Sequence, residues 1–219
     1  MKFENIKTIY FDYDGTIHDS IKIYAPAFLK AYEFLVENKK AHARKWNNDE
    51  IKKWLGYTSK DMWQSFMGDL DESIRNAASS IIGKEMERQI ISGNARLYDG
   101  APEVLEQLKR RGYNLVFLSN CSMKYMEISS KIFNLKSFFN DMICSEMYGY
   151  IPKHDILYKI KNNYEMNQVI VGDRFHDIES AVKNNIDSIF CRYGYGEKKE
   201  GDMATVSIKD INQILWYFD

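Results

Sequence analysis

The chain has 219 residues, of which 45% are hydrophobic and 28% are charged, and its formal net charge is −1. This length can bury the core of one or two domains, and the charge creates no field that would favour nucleic acid or an anionic membrane surface. No apolar stretch approaches the roughly 20 residues of a membrane helix, and three widely spaced cysteines favour neither a disulfide framework nor a zinc site. We therefore predict a cytoplasmic globular protein with no nucleic-acid or membrane partner. Nothing in the sequence indicates an oligomeric state.

The first predicted element is a buried strand, because Thr8–Phe11 is rich in β-branched and aromatic residues. Asp12 and Asp14 follow it at once, and Gly15 then lets the backbone turn sharply. Residues i and i+2 point to the same side of a strand, so both carboxylates should project together from its carboxyl end. Two such anions need a cation or bound protons. The simpler alternative is an Asp-Gly turn with one helix-capping aspartate.

The next stretch, residues 20–96, has helical spacing. Apolar residues recur at three- and four-residue steps, as at Tyr24 and Phe28, and Asn47 and Thr58 are typical helix caps. We predict no strand in this stretch. It is expected to be an inserted helical cap over residues 18–94, flanked by a core of residues 1–17 and 95–219.

From Leu97 onward, strand and helix patterns alternate. We predict a helix that starts at Pro102, one that carries Met126, one from about Asp155 to Asn162 and one that carries Ile178. Apolar runs between them predict strands at 113–118, 142–144, 169–171 and 186–191. This alternation predicts an α/β fold with a Rossmann-like parallel sheet and helices on both faces.

The carboxyl ends of the predicted strands carry polar residues, and ligands of such sheets bind there. Ser119 and Asn120 end the second strand, Asp173 ends a later one, and Lys153 lies in a loop that could reach the same edge. Each residue alone could be a helix cap or a solvated charge. Their convergence on one edge is unlikely by chance and indicates a functional site.

The charges at this edge favour a divalent cation. Asp12, Asp14, Asp173 and Asp177 supply up to four negative charges against Lys153. Mg²⁺ prefers oxygen ligands and binds through one or two carboxylates together with phosphate. Phosphoryl transfer needs such a clamp. One carboxylate can act as the nucleophile and a second as the general acid.

Four motifs in this order carry a resemblance to a known family. They are Asp12-Tyr13-Asp14-Gly15-Thr16 (DxDGT), Leu118-Ser119-Asn120, Pro152-Lys153, and GDxxxD at residues 172–177. Over its whole length the chain resembles the haloacid dehalogenase-like (HAD) phosphohydrolase superfamily, in the subgroup with a helical cap that includes phosphoglycolate phosphatase-like members. The resemblance implies a Mg²⁺-dependent phosphomonoester hydrolase that acts on a small phosphorylated metabolite through an aspartyl-phosphate.

The resemblance also implies a role for each motif carboxylate at the first strand. Asp12 is the nucleophile and a metal ligand. Asp14 protonates the leaving oxygen and then activates water, and its backbone carbonyl is a metal ligand.

The other three motifs supply binding residues. Ser119 and Lys153 hold the phosphate oxygens, and Asn120 either contacts substrate or supports its loop. Asp173 binds the metal, and Asp177 binds it directly or through a water. The cap is expected to exclude water from the site.

Two alternatives stay open beside the phosphatase. A sugar phosphomutase of the same superfamily is disfavoured by Thr16, where the β-phosphoglucomutase branch has Val, and by Tyr24 and Ser59 at its His and Arg positions. A phospho-receiver-like signalling module shares an acid cluster, a hydroxyl and a lysine, but the helical insertion and the late GDxxxD weigh against it. Dehalogenases lack an acid at the position of Asp14.

The sequence does not assign a function to a few residues near the motifs. Arg174 either approaches the phosphate or pairs with the cap, and Lys60 either meets an anionic substrate or is solvated. His18 is expected to pack or cap. The segment Tyr193-Gly194-Tyr195-Gly196 is expected to form a turn.

Overall fold

The computed structural model describes residues 2–218. They form two compact units: one comprises the chain up to Asp19 and from Leu97 onward, and the other comprises Ser20–Arg96. Among the described residues, no helix is long and apolar enough to cross a membrane.

The first unit contains a six-stranded sheet in which every neighbouring pair of strands is parallel. The strands are β1 Thr8–Phe11, β2 Asn114–Ser119, β3 Asp141–Cys144, β4 Gln168–Gly172, β5 Asp187–Cys191 and β6 Val206–Ile208. Their spatial order is β3-β2-β1-β4-β5-β6. The predicted fold class is therefore confirmed. Strand β6 was not predicted, because three residues are too few to show an alternating pattern.

The second unit is helical, and residues 20–96 contain no strand, as predicted. Its helices are α1 Ile21–Glu37, α2 Asn48–Ile51, α3 Ser59–Met67 and α4 Glu72–Ile91. The predicted caps form: Asn47 and Glu50 make a reciprocal capping box, and the Thr58 side chain accepts from the backbone N–H of Asp61. Aromatic side chains pack on one another in this unit, with Phe28 stacked on Trp54 at 5.2 Å between ring centroids.

The described part of the first unit also contains four α-helices: α5 Ala101–Arg110, α6 Met123–Phe133, α7 Lys153–Ile160 and α8 Phe175–Asn184. Alternate residues of β1 enter different clusters. Ile9 and Phe11 pack with residues of α5 and α6, whereas Tyr10 packs with residues of α7 and α8. Helices therefore cover both faces of the sheet, as predicted.

One helix begins earlier than expected. The capping preference of Asp155 predicts a start near that residue, but α7 begins at Lys153, and the Asp155 backbone N–H donates to the Pro152 carbonyl at 2.9 Å. The first turn therefore already contains Lys153. This corrects its predicted place in a loop and holds its side chain on a rigid element.

The strand register brings the motif residues to one edge. Phe11 at the end of β1 pairs with Phe117 of β2 and Val171 of β4. The residues that follow on the three strands therefore emerge side by side at the carboxyl edge of the sheet.

Candidate active site

The chain turns tightly after β1. The Asp12 backbone N–H still donates to the Val171 carbonyl at 2.9 Å, which extends the β1–β4 ladder by one bond. The backbone N–H groups of Ile17 and His18 then both donate to the Tyr13 carbonyl. Gly15 lies in this turn with φ of +85°, a conformation that residues with a side chain rarely adopt. Asp12 thus stays at the strand end, whereas Asp14 belongs to the turn.

A buried ammonium group joins two of the predicted carboxylates. Lys153 Nζ lies 2.6 Å from Asp12 Oδ1 and 2.7 Å from Asp177 Oδ1. All three side chains are almost fully buried. Asp177 is held by the chain itself, because its Oδ2 accepts from the Arg174 backbone N–H at 3.0 Å at the start of α8.

Asp173 completes the cluster. One of its oxygens, Oδ2, accepts a hydrogen bond from the Tyr195 backbone N–H. Carboxylate oxygens of Asp12, Asp173 and Asp177 all lie within 4.8 Å of one another. Lys153 pairs with two of these three carboxylates, and Arg174, whose charge also acts on Asp173, is itself paired with Glu200, so an excess of negative charge remains.

Two oxygens of this cluster are buried without a hydrogen-bond partner, Asp12 Oδ2 and Asp173 Oδ1. A buried carboxylate oxygen without a partner is costly. Close-set carboxylate oxygens are also the donor type that Mg²⁺ prefers. The residues present therefore fit a hard divalent cation.

The electrostatics agree with that fit. Burial raises the pKa of Asp12 to about 7, the charges of Asp177 and Asp14 add to the rise, and Lys153 opposes it. Burial and the neighbouring carboxylates also hold the pKa of Asp173 well above its usual range. Burial alone would lower the pKa of Lys153, but Asp12 and Asp177 raise it above its ordinary value. The ammonium thus stays charged, while the carboxylates need a further positive charge to ionise fully.

Three glycines pack against the acid cluster. A Cβ at Gly15 would lie 2.3 Å from Asp173 Oδ2, and one at Gly172 would lie 2.1 Å from Asp177 Cγ. A Cβ at Gly194 would lie 2.3 Å from Asp173 Cβ and 2.5 Å from the Gly15 carbonyl oxygen. The backbone therefore approaches the carboxylates too closely for any side chain.

Gly194→Ala is expected to lower the free energy of unfolding by about 1–3 kcal/mol, because the methyl group meets both a buried side chain and the backbone. Gly83→Ala is the matched control, since nothing lies within 4 Å of its added Cβ in α4. We expect that control to gain about 0.5–1 kcal/mol. Thermal or urea unfolding measures both. A Gly194→Ala protein as stable as the parent would contradict the packing described.

The predicted residues of the second motif lie one strand away. Ser119 is the last residue of β2 and is buried, and Asn120 follows it and is half-buried. The structure thus joins Asp12, Lys153, Asp173 and Asp177 directly, and it places Ser119 and Asn120 at the same edge beside them.

Asp14 makes different contacts from Asp12. Its Oδ1 accepts from the Tyr125 hydroxyl at 2.7 Å, and that hydroxyl also lies 3.1 Å from His18 Nδ1. The Asp14 carboxylate does not belong to the group formed by Asp12, Asp173 and Asp177. The two carboxylates were expected to project together from the strand end. They contact different residues instead, because the turn that begins at Tyr13 redirects Asp14. Its predicted metal ligand is the backbone carbonyl, which this contact leaves unaffected.

Several residues that contact the site residues were not predicted from the sequence. Tyr125 lies on α6 and carries no motif signal, and the Tyr195 amide belongs to a segment interpreted only as a turn. Arg174 Nε lies 3.1 Å from Glu200 Oε2. Glu200 belongs to the same unit as Arg174 and was not among the partners expected for Arg174. These contacts join segments that are far apart in sequence, so no local sequence pattern predicts them.

Comparisons with known proteins show the family of the chain. The family model described as haloacid dehalogenase-like hydrolase matches residues 9–191. A phosphoglycolate phosphatase of Colwellia psychrerythraea is 27% identical, with 100% of this chain and 95% of that protein covered. A phosphoglycolate phosphatase of Aquifex aeolicus is 26% identical over 87% of this chain and 86% of the relative.

Solved structures show the same fold. The crystal structure of a predicted phosphatase from Clostridium acetobutylicum superposes with a TM-score of 0.80 at 22% identity, covering 95% of this chain and 96% of that one. At this identity the similarity supports the fold alone.

Proposed function

Because this chain belongs to the haloacid dehalogenase-like hydrolase family and is a phosphatase similar to phosphoglycolate phosphatases, we propose that it hydrolyses a small phosphate monoester through an aspartyl-phosphate on Asp12, with Mg²⁺ as cofactor. In this proposal the core, residues 1–17 and 95–219, carries the chemistry. The helical residues 18–94 act as a substrate-selecting cap.

The observation that carries the proposal is the state of the Asp12 carboxylate. Its Oδ1 is held by Lys153, and its Oδ2 is buried without a partner. A buried carboxylate that is held by an ammonium suits nucleophilic attack because it is already oriented and desolvated, and its two oxygens allow one to bind a metal ion while the other attacks.

The proposed reaction has two steps. One carboxylate oxygen of Asp12 forms a bond to phosphorus while the bond from phosphorus to the ester oxygen breaks, and Asp14 gives its proton to that departing oxygen. Asp14 then takes a proton from a water molecule, which attacks phosphorus and releases inorganic phosphate from Asp12. Ser119 and Lys153 bind the phosphate oxygens during both steps, and Asn120 contacts substrate or supports the loop.

The proposed metal ligands are Asp12, Asp173, the Asp14 backbone carbonyl, and Asp177 directly or through a water. Bound there, Mg²⁺ would offset the charge of the carboxylates and of the transferred phosphoryl group. The fit rests on the unpartnered oxygens of Asp12 and Asp173 and on the excess of carboxylates over ammonium groups.

The substrate is proposed to be a small phosphorylated metabolite. The names of the two relatives make 2-phosphoglycolate the first ester to test. The three cysteines are buried free thiols, which supports the expected cytoplasmic location. Nucleic acid and membranes are not expected as partners.

The test is phosphate release by the purified protein from a panel of esters: 2-phosphoglycolate, nucleoside monophosphates, sugar phosphates and p-nitrophenyl phosphate. We expect turnover with Mg²⁺ and a loss of about 100-fold or more in EDTA, reversed by added Mg²⁺. Full activity in EDTA would contradict the metal requirement. Isomerised sugar phosphate without phosphate release would favour a mutase, and a long-lived phosphoprotein without turnover would favour a receiver-like module.

A further inference from the structure

Three side chains of the first unit form a contact chain that ends on Asp14. The Tyr125 hydroxyl lies 2.7 Å from Asp14 Oδ1 and 3.1 Å from His18 Nδ1. His18 is fully buried, and its ring stacks on Tyr13 at 4.8 Å between centroids and 5° between planes. The histidine is therefore held in place by packing, and it in turn restricts the Tyr125 hydroxyl.

The direction of the hydrogen bonds along this contact chain follows from the bond between Tyr125 and Asp14, in which the hydroxyl is the donor. His18 Nδ1 and Asp14 Oδ1 are 3.6 Å apart, too far for a direct hydrogen bond, so the hydroxyl mediates between them. A tyrosine hydroxyl has one proton. When Tyr125 donates it to Asp14 Oδ1, its oxygen accepts from His18, which requires the proton of that imidazole on Nδ1.

We propose that Tyr125, oriented by His18, is a positioning residue for Asp14 that makes Oδ2 the oxygen that delivers the proton. This inference rests on the proposed role of Asp14 as general acid. With Tyr125 donating to Oδ1, a proton on that same oxygen would face the proton of the hydroxyl. The acidic proton therefore resides on Oδ2.

The same contact stabilises the product of proton transfer. As the bond between phosphorus and the ester oxygen breaks, the proton moves from Asp14 Oδ2 to that oxygen, and Asp14 becomes a carboxylate. The hydrogen bond from Tyr125 to Oδ1 then becomes charge-assisted and stronger. An interaction that strengthens as the reaction proceeds lowers the barrier of that step.

The proposal predicts a dependence on the leaving group. A departing alkoxide requires protonation, whereas p-nitrophenolate departs as a stable anion and requires little. Tyr125→Phe is therefore expected to lower kcat/KM for 2-phosphoglycolate, or for the alkyl ester that the panel selects, by about 10-fold or more. For p-nitrophenyl phosphate kcat/KM should change less than about 3-fold. This parameter reports the first phosphoryl transfer, so a shared hydrolysis step does not mask the difference.

Tyr164→Phe is the matched control. Its hydroxyl donates to Asp141 Oδ2 at 2.7 Å, which is the same kind of bond at the opposite end of the sheet. We expect it to leave kcat/KM of both esters unchanged. Equal losses on both esters in Tyr125→Phe would indicate a merely structural role and overturn the proposal, as would no loss on either.

A second pair of variants tests the contact chain of His18, Tyr125 and Asp14 if Tyr125→Phe does not fold. His18→Phe keeps the stacking on Tyr13 but removes Nδ1, and His18→Asn supplies an amide donor in place of Nδ1. We expect a selective loss on the alkyl ester in His18→Phe and its partial recovery in His18→Asn. The reverse order would overturn the proposal.

Asp14→Asn distinguishes a failure of the proposed acid role of Asp14 from a failure of the positioning role of Tyr125. If it hydrolyses the alkyl ester like the parent, the proposed role of Asp14 as general acid is wrong. If it loses that activity while Tyr125→Phe keeps it, only the positioning role of Tyr125 is wrong.

Discussion

Asp12→Asn is expected to abolish turnover, with a loss in kcat of at least about 10⁴-fold on every ester that the parent hydrolyses. The amide has no carboxylate oxygen to attack phosphorus, and it also removes the charge that pairs with Lys153 Nζ at 2.6 Å. Phosphate release measures the loss. Mass spectrometry of the acid-quenched parent should show one added phosphoryl group, which the variant lacks.

The matched control is Asp187→Asn. Asp187 begins β5 at the amino edge of the sheet, where its Oδ1 accepts from the Thr205 hydroxyl at 2.9 Å. The same substitution there should leave kcat within about 2-fold of the parent, as for a surface change away from the site. Substantial activity in Asp12→Asn, above about 1% of the parent, would contradict the assignment of Asp12 as nucleophile.

Lys153→Met is expected to lower both stability and turnover. Its ammonium lies between Asp12 and Asp177, and all three groups are buried. Removing one partner of a buried ion pair leaves uncompensated charge and typically costs about 3–5 kcal/mol. We expect a loss of this size in the free energy of unfolding in EDTA. Phosphate release should fall by about 100-fold or more, because a bound phosphate also loses its ammonium partner.

The pH dependence of this variant has a defined sign. The pKa of Asp12 is raised to about 7 by burial and by Asp177 and Asp14, and Lys153 opposes the rise. Without the ammonium, that pKa rises further. A carboxyl whose folded pKa exceeds its unfolded value contributes stability below the unfolded value and loses it as the pH rises through the folded one. The stability of Lys153→Met in EDTA should therefore go on falling above about pH 7, where the fall contributed by Asp12 in the parent ends.

Lys159→Met controls for the loss of a lysine from the same helix, because Lys159 is exposed on α7. It should match the parent in unfolding midpoint and in turnover. A midpoint for Lys153→Met equal to that of Lys159→Met would show that the ammonium does not stabilise the carboxylates.

The helical unit shows how far local patterns reach. The helix caps at Asn47 and Thr58 were predicted because a short polar side chain before an apolar run satisfies the free backbone N–H groups of the first turn. The start of α7 was wrong by two residues, because Pro152 and Asp155 both suit a helix start and sequence alone does not choose between them.

The α/β class, the parallel sheet with helices on both faces, and the edge where the motif residues emerge were all predictable from the sequence. These follow from hydrophobic periodicity and from the connection rules of parallel sheets, which are properties of short segments. Which side chains meet at that edge is a property of the tertiary structure. The distances from Lys153 to Asp12 and Asp177, and the contact of Asp14 with Tyr125, depend on how distant segments pack and on side-chain rotamers. No local pattern encodes them, because each partner lies 24 or more residues away in sequence.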